Sequence, residues 1–302
     1  MFKSKNSMSR ALVRRETTAG YLFLLPSLFF FVTFVLYPMF LCLYTSFFDS
    51  NMGKNAVDVF VGLGNYKELF QDKLFLGALK NTVVIVVVAV PTVCAFSLWV
   101  ATAIYDMKPA LTSAFRCIFY LPVVTGSVAV TVVWKWMYNS RYGVFNYLFK
   151  SLGIIDQNIN WLGDARFALW CIILILFTTS VGQPIVLYVS ALGNVDHSLV
   201  EAAQVDGANR RQVFWKIEWA QIMPTTLYIL IITTINSFQC FALIQLLTSG
   251  GPTHSTDTIM YYIYYTAFKL YRYGYGNAMG VVLMIIIAVL SAVQFKLGQQ
   301  SD

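Results

Sequence analysis

The chain reads as an all-α, polytopic membrane protein with six transmembrane helices. Three observations carry that reading. Hydrophobic residues make up 58% of the sequence and charged residues only 12%, against roughly a quarter charged in soluble domains. Six stretches lack Asp, Glu, Lys and Arg and approach or exceed the length, about 20 apolar residues, that a helix needs to cross a bilayer core. Between the fourth and fifth lies a polar, mixed-charge block, residues 201–224, reading EAAQVDGANRRQVFWKIEWAQIMP.

Residues 1–19 form a tail that carries Lys3, Lys5, Arg10, Arg14 and Arg15 just ahead of the first span. Such a cluster faces anionic headgroups and holds its end of the chain in the cytoplasm. The net charge of +7 is therefore an orientation signal, and no nucleic-acid partner is expected. The first span is expected over 20–48. Its apolar run, roughly 27 residues, exceeds the core of a secretory leader and no small-residue cleavage site follows, so it reads as retained. Further spans are expected over 81–105, 117–138, 167–190, 224–248 and 277–297, making 20–297 one membrane domain. An even count puts both termini, including the short C-terminus 298–302, on the cytoplasmic side with the tail.

Pro26, Pro38, Pro91, Pro122 and Pro184 all fall inside expected spans. Each removes a backbone donor and loosens its helix. Membrane helices accept this where neighbours satisfy the freed carbonyls, so the prolines mark either ordinary packing kinks or helices that move. Three outer segments carry structure signals. Residues 49–80 hold the turn Val61-Gly62-Leu63-Gly64-Asn65-Tyr66, and 139–166 hold Tyr142, Tyr147 and Trp161. Residues 248–276 open with Thr248-Ser249-Gly250-Gly251-Pro252 and continue into a Tyr-rich amphipathic stretch.

The polar block has its own helix signals. Ser198 and Glu201 fit a reciprocal cap, with a helix starting near Leu199. Asp206-Gly207 marks a turn in which Gly207 takes a positive φ. A second helix follows from about Ala208, with Val213, Phe214 and Ile217 on one face and Arg210, Arg211 and Lys216 on the wet side; Pro224 opens the fifth span. The small residues Ala202, Ala203 and Gly207 permit close approach by a partner. On physics alone, an amphipathic connector resting on the bilayer fits as well.

The block closely resembles the EAA loop of binding-protein-dependent ABC importers. The family pattern is EAA, two residues, DGA, five residues, F, two residues, I, two residues, P, three residues, P. Glu201, Ala202, Ala203, Asp206, Gly207, Ala208, Phe214, Ile217 and Pro224 match it, and Ala220 replaces the first proline. Asn65-Tyr66, Ile235-Asn236-Ser237-Phe238-Gln239, Thr248 to Pro252, Tyr264 to Phe268 and Tyr273 to Ala278 resemble the carbohydrate-uptake type I group, of the maltose, glycerol-3-phosphate and multiple-sugar permease kind, and its first of two paired permeases.

The resemblance implies the type I ABC importer fold with 191–223 as a cytoplasmic coupling loop. It implies docking of a partner ATPase by Glu201, Ala202, Ala203, Asp206, Gly207, Ala208 and Phe214. The implied partners are a second six-span permease, two ATP-binding cassette subunits, an extracytoplasmic solute-binding protein, a sugar and the lipid bilayer. It implies a prokaryotic plasma membrane. ATP and Mg would sit on the partner ATPase, since GxxxxGK[ST] is absent from this chain. No cofactor is expected on the chain itself.

No catalytic or metal set is legible. The five cysteines show no CxxC or Cys/His spacing and read as small apolar side chains. His197 and His254 read as solvated loop residues, with no carboxylate partner. A sugar path needs hydroxyl-matching amides and an aromatic face. The fourth span offers Gln183 and Tyr188, and the fifth offers Asn236, Ser237, Phe238 and Gln239. Asn236 and Gln239, three apart, share a helix face. Interhelical hydrogen bonding explains the same residues equally well. A permease for a non-sugar solute is the near alternative. A secondary transporter is more distant, because such proteins place ionisable groups inside the membrane and the charge-free stretches 20–48, 81–105, 117–134, 167–190, 224–248 and 277–295 hold no Asp, Glu, Lys or Arg.

Overall fold

The computed structural model describes residues 3–50 and 58–299. Met1, Phe2 and the end of the expected 298–302 segment, residues 300–302, lie outside them.

The first span is one continuous rod built from α1 (Lys3–Phe31), a π turn (Val32–Leu36) and α2 (Tyr37–Thr45). The tail expected over 1–19 is already helical from Lys3, because no Gly or Pro interrupts it before Gly20. The π turn sits just before Pro38. That proline offers no N–H to the Phe34 carbonyl and crowds it, and the wider turn relieves the clash. The rest of the chain buries almost none of this rod.

The segment expected as a structured outer loop over 49–80 is described at 49–50 and 58–80. A two-residue antiparallel pair, β1 (Phe48–Asp49) and β2 (Val59–Phe60), sets Phe48 opposite Phe60. It is a small exception to the all-α reading. Gly62 then turns at φ +55° into α3 (Gly64–Leu69). Asn65 donates to the Ser46 and Phe48 carbonyls at 2.8 and 2.9 Å, which fastens the turn to the end of span one. Asp72 caps α4 (Lys73–Tyr105), so span two starts eight residues before the expected 81. Lys73 and Lys80 lie on that outer extension, where a charge stays wet.

The third expected span, 117–138, is two helices. They are α5 (Pro109–Val124) and α6 (Ser127–Met137), bent by 95°. Pro122 deprives the last turn of α5 of a donor, and the Thr125 hydroxyl takes the Leu121 carbonyl at 2.8 Å. Thr125 and Gly126 are both extended. The pair still runs from one end of the bundle to the other. Before it, Asp106 lies 3.5 Å from Arg210; after it, the Tyr138 hydroxyl donates to the Cys171 carbonyl at 3.4 Å.

Beyond α7 (Val144–Ser151), the fourth span joins α8 (Ala168–Ser180) to α9 (Gly182–Gly193). Ser97 of α4 donates to the junction carbonyl of Val181 at 3.2 Å. Such satisfaction inside the bilayer is obligatory. The polar block holds α10 (His197–Val205) and α11 (Arg210–Val213). A π turn (Phe214–Glu218) then leads into α12 (Trp219–Phe238). The helix that carries the fifth span therefore starts at Arg210, and Pro224 lies inside it rather than at its start. It breaks after Phe238, where the Cys240 carbonyl accepts the Thr258 hydroxyl, and resumes as α13 (Ala242–Leu247). Outer α14 (Ile259–Tyr264), its π turn (Tyr265–Lys269) and α15 (Tyr273–Gln299) complete the described chain.

The core lies where α4, α9 and α12 meet. Val93, Ile185, Tyr188, Ile222 and Ile229 are buried there. Gly182 lets α5 cross close: a Cβ on it would stand 2.4 Å from the Phe119 carbonyl oxygen. The end of the bundle away from Arg210 is laced by polar groups. Asn81 donates to the Ser255 and Asp257 carbonyls at 3.1 and 3.0 Å, and Asp72 accepts the hydroxyls of Tyr262 and Tyr275 at 2.7 and 2.9 Å.

Candidate functional site

The polar block forms a helix–turn–helix whose ends are fixed by side chains. Asp196 caps α10: its carboxylate accepts the Ser198 amide at 2.9 Å and the Ser198 hydroxyl at 2.7 Å. These two donors, hydroxyl first, hold the Asp196 carboxyl below its usual range. The expected Ser198–Glu201 cap is corrected. Asp196, two residues earlier, reaches the same amide, and Ser198 lies inside the helix.

The end of α10 is closed by two carbonyls. The Ala208 amide donates to the Ala203 carbonyl at 2.9 Å and the Gly207 amide to the Gln204 carbonyl at 3.0 Å. This is the Schellman pattern, which needs a left-handed residue one place past the cap. Gly207 supplies it at φ +83°. A reciprocal capping box follows: Asn209 accepts from the Gln212 amide at 2.9 Å, and Gln212 accepts from the Asn209 amide at 2.8 Å. The sequence reading did not name that box, although N-x-x-Q is its signature.

Glu201, Ala202, Asp206 and Gly207 are exposed, and Ala203, Ala208 and Phe214 are half-buried. Leu199 is 51% exposed and Val205 88% exposed on the same short helix. The sequence reading did not single out those two aliphatics, although they lie three residues either side of Ala202. The second half of the block is not a separate helix. Arg210, α11, the π turn and α12 are one rod, anchored at its base by Val213, 1% exposed. The Asp196 amide donates to Gln221 of that rod at 3.0 Å, which ties the start of α10 to it.

The rod's other end meets a cleft of about 160 Å³ between α9 and α12. Gln183 and Asn236 line it with Thr179, Ser180, Thr233 and Val123. The structure thus brings Gln183 and Asn236 together. It does not bring Tyr188, Ser237 or Phe238 to the cleft: they are 1%, 2% and 1% exposed and packed inside the chain. Tyr188 belongs to the α4–α9–α12 core and Phe238 to a second core with Phe75 and Ile259. Gln239 is exposed and caps the C-terminus of α12, one turn from Asn236 but outside the cleft.

One outer pair also departs from expectation. His254, read as a solvated residue without a carboxylate, places Nδ1 2.6 Å from Asp257 Oδ2. Residues 249, 250, 253 and 254 all take positive φ and fold the segment back on itself. Burial raises the Asp257 carboxyl above its usual range against the opposing pull of His254.

The comparisons can be set beside this geometry. Residues 59–299 match the family described as binding-protein-dependent transport system inner membrane component. The chain belongs to this family. It is therefore a permease of a binding-protein-dependent ABC importer: a multi-pass, non-catalytic transport subunit that carries no cofactor, with ATP hydrolysis on a separate subunit. A probable ABC transporter permease protein of Bacillus subtilis is 33% identical, over 94% of this chain and 91% of its own. A lactose transport system permease protein of Rhizobium radiobacter is also 33% identical, over 94% of this chain and 95% of its own. The fold matches a chain from a bacterial alginate ABC transporter in complex with an alginate pentasaccharide-bound periplasmic protein. That match has a TM-score of 0.80 at 24% identity and covers 93% of both chains.

Proposed function

We propose that this permease forms half of the pathway of an ATP-driven importer for an oligosaccharide or sugar derivative. The other half comes from a second six-span permease, since the cleft at Gln183 and Asn236, about 160 Å³, is only about half the lower limit of typical small-molecule pockets and too small to hold an oligosaccharide alone. Two ATP-binding cassette subunits dock on α10 and its turn, through Glu201, Ala202, Ala203, Asp206, Gly207, Ala208 and Phe214. An extracytoplasmic binding protein delivers the solute. The chain sits in a prokaryotic plasma membrane with six crossings and both termini in the cytoplasm; the α5–α6 pair counts as one crossing because its ends lie at opposite ends of the bundle.

The observation that carries the reading is the rod from Arg210 to Phe238. One end holds the exposed coupling turn, and the other holds Asn236 on the cleft. The lactose transport system of one relative and the alginate ABC transporter of the matching structure support sugars as the solute class. Two amides and three hydroxyls in the cleft suit a polyhydroxyl solute.

The test is mild-detergent purification of the tagged chain from its native membrane, with mass spectrometry of the co-purifying proteins. Recovery of a second permease and a Walker-motif ATPase supports the assembly. The isolated binding protein is then screened by thermal shift against lactose, maltose, raffinose, alginate oligomers, amino acids and phosphate. A response to amino acids or phosphate alone overturns the sugar assignment.

A further inference from the structure

Arg210 is gripped by carboxylates from two other parts of the chain. Its guanidinium pairs with Glu218, at the far end of the π turn, and lies 3.5 Å from Asp106, which closes α4. Glu218 is 5% exposed, and its second carboxylate oxygen has no partner among the described residues. A buried carboxylate is held only by a paired cation, and Arg210 is that cation.

The location gives the pair a mechanical role. A π turn loosens the regular i to i−4 ladder, and this one lies between the coupling turn and the membrane-spanning part of the rod. The Arg210–Glu218 pair spans it end to end. The Asp106 contact adds the end of span two to the same joint. Asn209, which caps the rod, directly precedes Arg210 and joins the brace to the turn at Gly207. Neither Arg210 nor Glu218 belongs to the nine family positions matched by the sequence.

We propose that Arg210 is a positioning residue for energy coupling: the Glu218–Arg210–Asp106 clamp makes the coupling turn, the base of span five and the end of span two move as one body. This rests on the coupling reading of residues 201–214. With the clamp intact, closure of the ATPases has to displace the spans. With the clamp removed, the turn yields at the π turn and closure proceeds without that load.

The test uses the complete transporter, purified from the native membrane into nanodiscs, with MgATP as the only added ligand. Arg210→Gln/Glu218→Gln removes both charges and leaves no buried unpaired carboxylate, so the fold is spared the larger penalty of a single change. The complex is expected to assemble in normal yield, with the KM for ATP unchanged and the basal turnover raised about five-fold, the lower end of typical coupling effects. Arg210→Lys keeps a cation beside both carboxylates and is expected to restore most of the wild-type restraint. Asp106→Asn gives a smaller rise, because the Asp106 side chain is 70% exposed.

Wild-type turnover in the double variant overturns the proposal. So does a double variant that fails to assemble beside a normal Arg210→Lys, since the pair is then needed only for folding. Gly207→Trp separates this proposal from the reading beneath it. If Gly207→Trp assembles and turns over normally, the coupling reading itself fails. A changed Gly207→Trp beside an unchanged double variant sinks the clamp alone.

Discussion

The turn at Gly207 offers a perturbation whose two costs can be separated. Gly207 holds φ +83°, and a Cβ built there meets no atom of this chain within 4 Å. Within the isolated permease, Gly207→Ala therefore costs only the left-handed backbone strain, roughly 1–2 kcal/mol. Gly207→Asn costs less, because Asn tolerates that region. Gly207→Trp carries the same strain as Ala and adds bulk on the face offered to the ATPase. Any loss in the Trp variant beyond the Ala variant must then come from the partner. The assay is three-fold: thermal stability of the purified permease, recovery of the ATPase in a pull-down, and uptake by reconstituted vesicles. The expected result is Ala and Trp variants of similar stability, with ATPase recovery or uptake lost only in the Trp variant. Normal ATPase recovery and uptake by Gly207→Trp would refute docking at this turn.

Three further expectations follow from the packing and the charges. Gly182→Ala sets a Cβ 2.4 Å from the Phe119 carbonyl oxygen and 2.8 Å from Val123. Overpacking of that kind costs about 1–3 kcal/mol, so the melting temperature of the purified complex should fall by several degrees, and an unchanged value would show that α5 does not cross there. Asn236→Ala and Gln183→Ala should each weaken solute uptake about five-fold, the worth of roughly one hydrogen bond of 1 kcal/mol; unchanged KM and rate in vesicles would remove the cleft from the pathway. Burial works to raise the Asp72 carboxyl, but hydrogen bonds from Tyr262, Tyr275 and the Leu74 and Phe75 amides outweigh it and leave the group below its ordinary 3.8. A lowered carboxyl contributes stability above its unfolded value and loses it as pH falls through the folded one. The melting difference between wild type and Asp72→Asn should therefore be constant from pH 7 to about 5 and close below 3.8; a difference that first opens on acidification would contradict the sign.

What the sequence showed and hid follows from the range of the forces involved. Charge-free length is a local property, so the positions of the spans were legible, as was the left-handed Gly207. Span ends were not, because helices continue beyond the bilayer wherever charges stay wet, as at Lys73 and Arg210. The bend after Val124 needed Pro122, Thr125 and an extended Gly126 to act together, and Pro122 alone resembles the unbroken Pro91. Site residues divided by the same rule. Gln183 and Asn236 face one cleft because two helices meet there, which one-dimensional spacing cannot show. Gln239 satisfies the three-residue spacing from Asn236 and still lies outside the cleft, while Phe238 is buried in one cluster with Phe75. The Arg210 clamp was hidden altogether, since Asp106 lies 104 positions away in sequence.

The rod from Arg210 to Phe238 joins these points into one mechanical argument. At 1.5 Å per residue it carries a displacement at the coupling turn about 40 Å to the level of Asn236. A helix transmits motion along its axis only where its hydrogen-bond ladder is unbroken, and this rod has two weak places, the π turn at Phe214–Glu218 and Pro224. The first is bridged by Arg210–Glu218. The second lies beside Ile222 and Ile229, which are both fully buried against α4 and α9. An ion pair therefore braces the joint nearest the Gly207 turn, and packing braces the joint nearer Asn236. Under the coupling proposed above, motion entering at Gly207 would move α4 and α9 with α12, and Gln183 on α9 would shift together with Asn236 rather than against it.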